Sequence, residues 1–320
     1  MTRKKSTIAA AVVLLLVAIT AMMAQTPAQT PPASQTLKID VDLVLVTATV
    51  TDQLGRFVSG LDQEHFKLWE DKVEQKFSSF SSEDVPVSVG VIFDVSGSMK
   101  DKISTARDAA TTFLKTLNPE DENFLITFAN NPTVDSDFTT DVSRLQTKLL
   151  FTPAKGLTAM YDSVYLGLEK LREGSNPKKA ILLITDGEDN HSRYTFSQVK
   201  EFVKEQDVQI YAIGIVDDWN SQLGAGRTGR AMIEELAEIT GGRAMFPDSV
   251  YELEDICTKI AVELKNQYVV GYHSTNEAKD GKWRKLRMTV NPPKGIQRLN
   301  IRFKTGYYAA EADGPATGKN

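Results

Sequence analysis

Val85-Pro-Val-Ser-Val-Gly-Val-Ile-Phe-Asp-Val-Ser-Gly-Ser-Met99 is the stretch that decides the fold. Its apolar run from Val87 to Phe93 has the continuous hydrophobicity of a strand buried on both faces, as in a parallel sheet. The run ends in Asp94, Ser96 and Ser98, three oxygen-bearing side chains at alternate positions, and Gly97 permits a sharp turn among them. In an open parallel sheet, the carboxyl ends of the strands are where ligand sites collect. One carboxylate and two hydroxyls are hard oxygen donors that suit a small hard cation such as Mg²⁺ and do little for zinc or copper. Three side chains do not complete an octahedron, so the shell needs distant residues or an outside ligand.

Distant donors exist. Lys179-Ala-Ile-Leu-Leu-Ile-Thr-Asp-Gly-Glu-Asp-Asn190 repeats the plan, a buried-strand run ending in Asp186 and followed by Gly187. Between the two lies Gly156-Leu-Thr-Ala-Met-Tyr-Asp162, where Thr158 opens an amphipathic helix carrying Tyr161, Val164, Leu168 and Leu171. Taken singly, each has a plainer reading. Asp94 to Ser98 is a strand-to-helix turn, Thr158 a helix N-cap, and Asp186-Gly187 a turn dipeptide. Jointly, three separated oxygen clusters fall where a parallel sheet brings them together, and that pattern predicts a metal site.

These residues resemble the metal-ion-dependent adhesion site of the von Willebrand factor type A family. That site uses Asp-x-Ser-x-Ser, matched by Asp94, Ser96 and Ser98, then a Thr in Gly-x-Thr context, matched by Thr158. Its last member is an Asp in Thr-Asp-Gly context, matched by Asp186. The resemblance implies a doubly wound, mostly parallel, Rossmann-like α/β sheet with Mg²⁺ as cofactor, Mn²⁺ or Ca²⁺ being alternatives. It also implies a protein partner that presents an Asp or Glu carboxylate to the ion. Phe66-x-Leu-x-Glu-Asp71 and Tyr268-x-x-Gly-Tyr272 further resemble bacterial secreted proteins described as von Willebrand type A-related.

The first residues read as a targeting segment. Arg3, Lys4 and Lys5 precede an apolar run from Ile8 to Ala21, with Ala24-Gln25 as a cleavage point. Residues 1–24 are thus expected to be a secretory signal peptide, and the run is shorter than the ~20 apolar residues of a membrane helix. Secreted or periplasmic localisation follows, without a stable membrane span after cleavage. An uncleaved N-terminal anchor is the alternative, because Met22 stands where cleavage prefers a small residue. Residues 25–36, rich in Pro, Thr, Ala and Gln, read as a disordered spacer.

The rest has ordinary globular composition, with 41% hydrophobic and 25% charged residues. Removing Arg3, Lys4 and Lys5 takes the formal charge from −5 to −8. This disfavours nucleic acid, whose backbone needs concentrated Lys and Arg. Cys257 is the single cysteine, so no intramolecular disulfide forms. It shares a helical apolar side with Leu253, Ile256, Ile260 and Leu264, which predicts a buried, inert thiol.

Residues 85–266 alternate strand and helix, as expected for a parallel sheet covered on both faces. The predicted strands are Val87 to Phe93, Asn123 to Ala129, Ala180 to Thr185 and Val208 to Val216, with Thr133 to Thr139 as an edge strand. Predicted helices run from Ile103 to Leu117, stopped by Asn118-Pro119, and around Met232 to Ile239 before Gly241-Gly242. Thr195-x-x-Gln198 and Ser249-x-x-Glu252 read as capping boxes.

The flanks are β-rich. Leu37, Ile39, Val41, Leu43 and Leu45 alternate with polar residues and are expected to face a core. Phe66 to Trp69, the turn Glu70-Asp71-Lys72 and Val73 to Phe80 read as a hairpin. Gln267 to Tyr272, Lys285 to Val290 and Leu299 to Phe303 show the same character, with Asn291-Pro-Pro-Lys-Gly295 as a turn. Residues 37–84 and 267–309 are each too few to bury a core alone. Pairing them into one β-sandwich, with the α/β domain inserted, resolves this and resembles the integrin β chain. Residues 310–320 are expected to be a disordered tail.

The ion's remaining appetite for an anionic oxygen points to metal-dependent protein binding without turnover. Ser192 to Tyr194 and Asp217 to Arg227 are the loops expected to surround it. Trp219 is either a partner anchor or a partly buried loop aromatic. The rival readings are a metallohydrolase on the same cation, with Glu188 and Asp189 activating water, and an envelope protein whose metal only stabilises. A Ser98–His191–Asp triad lacks the G-x-S-x-G elbow. His65, His191 and His273 form no pair at ligand spacing, and no Walker A pattern occurs.

Overall fold

The computed structural model describes residues 43–186, 189–215, 225–295 and 298–311, with the backbone alone for 225–228. The expected signal peptide, the spacer, Leu37, Ile39, Val41, Glu188 and Trp219 lie outside the described residues.

β5 (Val87–Asp94) is buried along its whole length. It is flanked in parallel by β6 (Glu122–Phe128) and β8 (Lys178–Thr185), and β8 by β9 (Gln209–Gly214). The six-stranded sheet has the order β10-β9-β8-β5-β6-β7, with β10 (Arg243–Met245) and the antiparallel β7 (Pro132–Thr139) at its edges. Val89, Val91 and Phe93 pack on one face against α1 (Ile103–Thr116) and α6 (Leu253–Lys265). Ile92 and Phe124 lie on the other, with α3 (Met160–Leu171), α4 (Phe196–Lys204) and α5 (Ala225–Thr240). α2 (Val142–Phe151) sits beside β7 and was not expected from the sequence. A Cβ at Gly90 would lie 2.3 Å from the Phe124 ring, so glycine is what lets β5 and this ring share the space.

Thr195 and Gln198 form the expected capping box. Ser249 instead caps a short 3₁₀ turn, accepting from Tyr251 N, and α6 begins after Glu252. Cys257 is buried, and burial, helped by nearby Glu254, pushes its thiol up to about 12.

The flanks pair across the insertion. One sheet has the order β13-β1-β11-β4, the other β14-β12-β2-β3. N-terminal β1 (Leu43–Thr51) and β4 (Phe77–Ser81) alternate with C-terminal β11 (Gln267–His273) and β13 (Asn300–Phe303) in the first sheet, while in the second the N-terminal pair β2 (Phe66–Glu70) and β3 (Val73–Gln75) adjoins the C-terminal pair β12 (Trp283–Val290) and β14 (Gly306–Tyr308). Three expectations need correction. The core-facing side of β1 is Val44, Val46, Ala48 and Val50, while Leu43 is 47% exposed. The alternation therefore has the opposite phase from the one read outward from Leu37, because Val44 and Val46 complete a second apolar set. The predicted strand from Val73 to Phe80 is also two strands, which cross from one sheet to the other at Lys76. Ala310 and Glu311, expected in the tail, are also held: Gly281 N donates to Ala310 O and Glu311 bridges to Asp280.

Two polar knots hold the sandwich. Buried Glu70 accepts from Tyr272 OH (2.7 Å), Tyr307 OH (2.8 Å) and Ser274 Oγ (2.6 Å), which gives its carboxylate hydroxyl donors in place of water. The Glu-Asp and Gly-Tyr halves of the two flank motifs meet here. At the junction with the α/β domain, Glu263 of α6 accepts from Thr49 Oγ1 (3.0 Å) and Tyr211 OH (2.8 Å) and pairs with Arg302. Gln267 Nε2 donates to Gln209 Oε1 at 2.7 Å. Gln209 opens β9, so the sandwich docks at the amino ends of the parallel strands and leaves their carboxyl ends clear.

Candidate metal centre

Asp94 is the last residue of β5 and is fully buried. Its Oδ1 accepts from Ser96 N at 2.8 Å and its Oδ2 from Thr185 Oγ1 at 2.7 Å. Burial, and secondly the charge of Asp186, raise its pKa to about 6 against these lowering hydrogen bonds. Asp186 follows Thr185 at the end of β8, the strand paired with β5, and its Oδ1 is buried with no hydrogen-bond partner among the described residues. Ser96 Oγ and Ser98 Oγ lie 3.0 Å apart, Ser98 riding on the 3₁₀ turn Gly97–Met99.

Thr158 arrives on a loop stitched to the same place. Lys155 N donates to Val95 O (2.8 Å), Gly97 N to Gly156 O (3.0 Å) and Ala159 N to Ala129 O (2.8 Å). Gly156 has φ +96°, and a Cβ there would come within 2.6 Å of Asn130 Oδ1, the acceptor for Leu157 N. Thr158 N donates to Asn190 Oδ1 at 2.9 Å, and Thr158 O accepts from Asn190 N and His191 N. The five residues singled out by the sequence thus sit on three segments tied to one another. The donor set is two carboxylates and three hydroxyls, with one carboxylate oxygen orphaned. This set fits a small, hard, oxygen-seeking cation.

Thr158 is not the helix cap. The N-cap is Ala159, which offers no side-chain bond. Asp189 does that work from another segment, its Oδ2 accepting from Tyr161 N (3.1 Å) and Ser192 Oγ (2.5 Å). Asp162 accepts from Arg193 N (2.9 Å) and Tyr194 N (3.0 Å) and pins the loop expected to border the ion. Asp189 is therefore engaged in holding a helix start and a loop, away from the water-activating role it has in the hydrolase reading. Ser98 Oγ bonds Ser96, and among the described residues it meets no histidine. Sequence reasoning missed Thr185 and Asn190, and gave Asp189 a water-activating role in place of its structural one. Only Thr185 had a signal, as the residue before the Asp-Gly pair.

Residues 89–188 match the model of the family described as von Willebrand factor type A domain. The α/β domain has that fold. A von Willebrand factor type A structure from Catenulispora acidiphila is similar over 85% of this chain and 74% of its own, with 12% identity and a TM-score of 0.50. An aerotolerance-related membrane protein from Bacteroides fragilis is 18% identical, covering 56% of this chain and 98% of its own, with a TM-score of 0.45. The vWF domain of the type V pili tip protein Mfa5 from Porphyromonas gingivalis is 14% identical over 57% of this chain and 97% of its own, with a TM-score of 0.45. No curated protein matches the chain.

Proposed function

We propose that Asp94, Ser96, Ser98, Thr158 and Asp186 hold a divalent cation, Mg²⁺ first and Mn²⁺ or Ca²⁺ as alternatives, and that the ion captures an Asp or Glu carboxylate of a partner protein. The observation that carries this reading is the orphaned, buried Oδ1 of Asp186 beside the buried carboxylate of Asp94. Two like charges held together out of water are costly unless a cation or a proton joins them. With few formal charges around it, the ion keeps affinity for one more anionic oxygen. The protein's own work is to fix the donors: Thr185 and Ser96 N orient Asp94, and the Gly97–Gly156 bond sets Thr158 against the serines. The protein then acts as a binding module without turnover.

Export of the chain by residues 1–24 is part of the same proposal. Among the described residues no helix is long and apolar enough to cross a membrane. The test is capture of partners from an extracytoplasmic fraction in Mg²⁺ and in chelator, for the wild type and Asp94→Ala. Binding that needs Mg²⁺ and Asp94 supports the proposal. Capture that persists in chelator refutes it.

A further inference from the structure

The two sheets of the sandwich and the central sheet have six edges, and five are guarded. β13 carries Arg302, bonded to Gly241 O at the end of α5. β14 is covered by α4, where Tyr308 OH meets Glu201. β10 opens with Arg243, β3 carries Glu74 paired to Lys67, and β7 begins at Pro132 and carries Asp135 and Asp137. Charges, prolines and covering elements are the usual devices that keep sheet edges from pairing with other chains.

Among the described residues β4 has no charge, proline or covering element, and is protected only by its shortness and one bulge. Phe77-Ser-Ser-Phe-Ser-Ser82 is uncharged, and among the described residues β4 pairs with β11 alone. A bulge at Ser78 leaves Ser79, Phe80 and Ser81 in regular register against Gly271, Val270 and Val269. Ser78 and Ser79 are exposed, and Phe77 and Phe80 are half-buried. Beside them opens a groove of about 860 Å³ where Phe66, Phe77 and Phe80 are rimmed by charged residues including Glu64, Lys67 and Lys76, with the Phe66 and Phe80 rings 5.2 Å apart.

We propose that β4 is a self-association edge, through which two copies of this chain pair antiparallel about Ser79–Ser81 and join their four-stranded sheets across a twofold axis. The occupant follows from charge. An antiparallel strand pair places opposite ends together, so Lys76 of one copy comes to Glu83 and Asp84 of the other, twice over by symmetry. Between those ends the strand sets no charge against itself.

Sedimentation equilibrium of the full chain at rising concentration tests this. The expected result is a monomer–dimer equilibrium. Ser79→Lys sets two ammonium groups across the axis and is expected to weaken the dimer roughly ten-fold or more. An equimolar mixture of Ser79→Lys and Ser79→Glu should restore it. Unchanged melting of both variants separates a lost contact from a lost fold, and Ser81→Lys is the second probe if Ser79→Lys melts early. A wild type that stays monomeric, or a dimer that neither lysine variant weakens, overturns the proposal.

Discussion

Thr185 Oγ1 donates to Asp94 Oδ2 at 2.7 Å, so the carboxylate that ends β5 is aimed by the hydroxyl that ends the neighbouring strand β8. Parallel pairing puts the two residues side by side, although they stand far apart in the chain. Replacing Thr185 by Val keeps the shape and removes the donor. Loss of a hydrogen bond to a buried charged group costs about 1–3 kcal/mol, and loss of a group that orients a metal ligand lowers affinity roughly ten-fold. Both should appear in Thr185→Val, by urea unfolding and by Mg²⁺ titration. Unaltered Mg²⁺ affinity would show that Thr185 does not position the ion's ligand.

The pKa of Asp94 rises to about 6 in the fold, chiefly from burial, against an ordinary value of 3.8. An acid that binds its proton more tightly when folded stabilises the fold at low pH. That stabilisation is fully present below about pH 4 and is lost as pH rises through about 6. The loss is on the order of 3 kcal/mol. In chelator, the urea midpoint of the wild type should fall relative to that of Asp94→Asn as pH rises between those values, the other carboxylates contributing equally to both. Parallel curves would count against a buried, proton-binding Asp94.

Adding Mg²⁺ in excess should raise the melting temperature of the wild type, because a ligand of the native state alone stabilises it. Asp186→Ala should lose that rise and still fold. An equal rise in both proteins would remove Asp186 from the metal shell.

Thr158→Ala and Asp189→Ala should separate binding from stability. Thr158 makes no cap bond, so its loss should leave unfolding nearly unchanged and weaken Mg²⁺ binding. Asp189 holds the start of α3 from outside, and its loss should cost about 1–2 kcal/mol, the scale of an N-cap. A stability loss on Thr158→Ala as large as that of Asp189→Ala would contradict this division.

Glu263 is buried, accepts from Tyr211 of its own domain, and pairs with Arg302 and Thr49 across the junction of the two domains. Arg302→Met leaves a buried carboxylate without its cation and should cost about 3 kcal/mol or more. Adding Glu263→Gln should recover part of that loss in a double-mutant cycle. Independent, additive losses would mean the two residues do not act as a pair.

The cluster of oxygen-bearing residues at the strand ends was legible because its logic is local. A buried strand must end, and the oxygens placed there announce a ligand site. The parallel strands β5, β6, β8 and β9 were legible for the same reason, as unbroken apolar runs. What escaped depends on partners distant in the chain. Asp189 looks like any loop acid until α3 is set before it, and Ala159 takes the cap position because Asp189 makes a capping side chain unnecessary there. The phase of β1 was hidden because Leu43 and Val44 belong to two overlapping apolar alternations, and only pairing with β11 selects one. The break between β3 and β4 has no strong breaker residue. The chain simply changes sheets at Lys76.

β1 and β11 lie antiparallel over seven residue pairs, from Leu43 opposite His273 to Thr49 opposite Gln267. α6 feeds β11 at Gln267, while the chain enters β1 at Leu43. A tug between the segment before Leu43 and the α/β domain therefore draws the two strands in opposite directions along their own lengths. Hydrogen bonds loaded in that shear geometry share the force and must yield together, whereas bonds at a peeling edge give way singly. Force applied in that way would load the β1–β11 pairing along its strongest direction first.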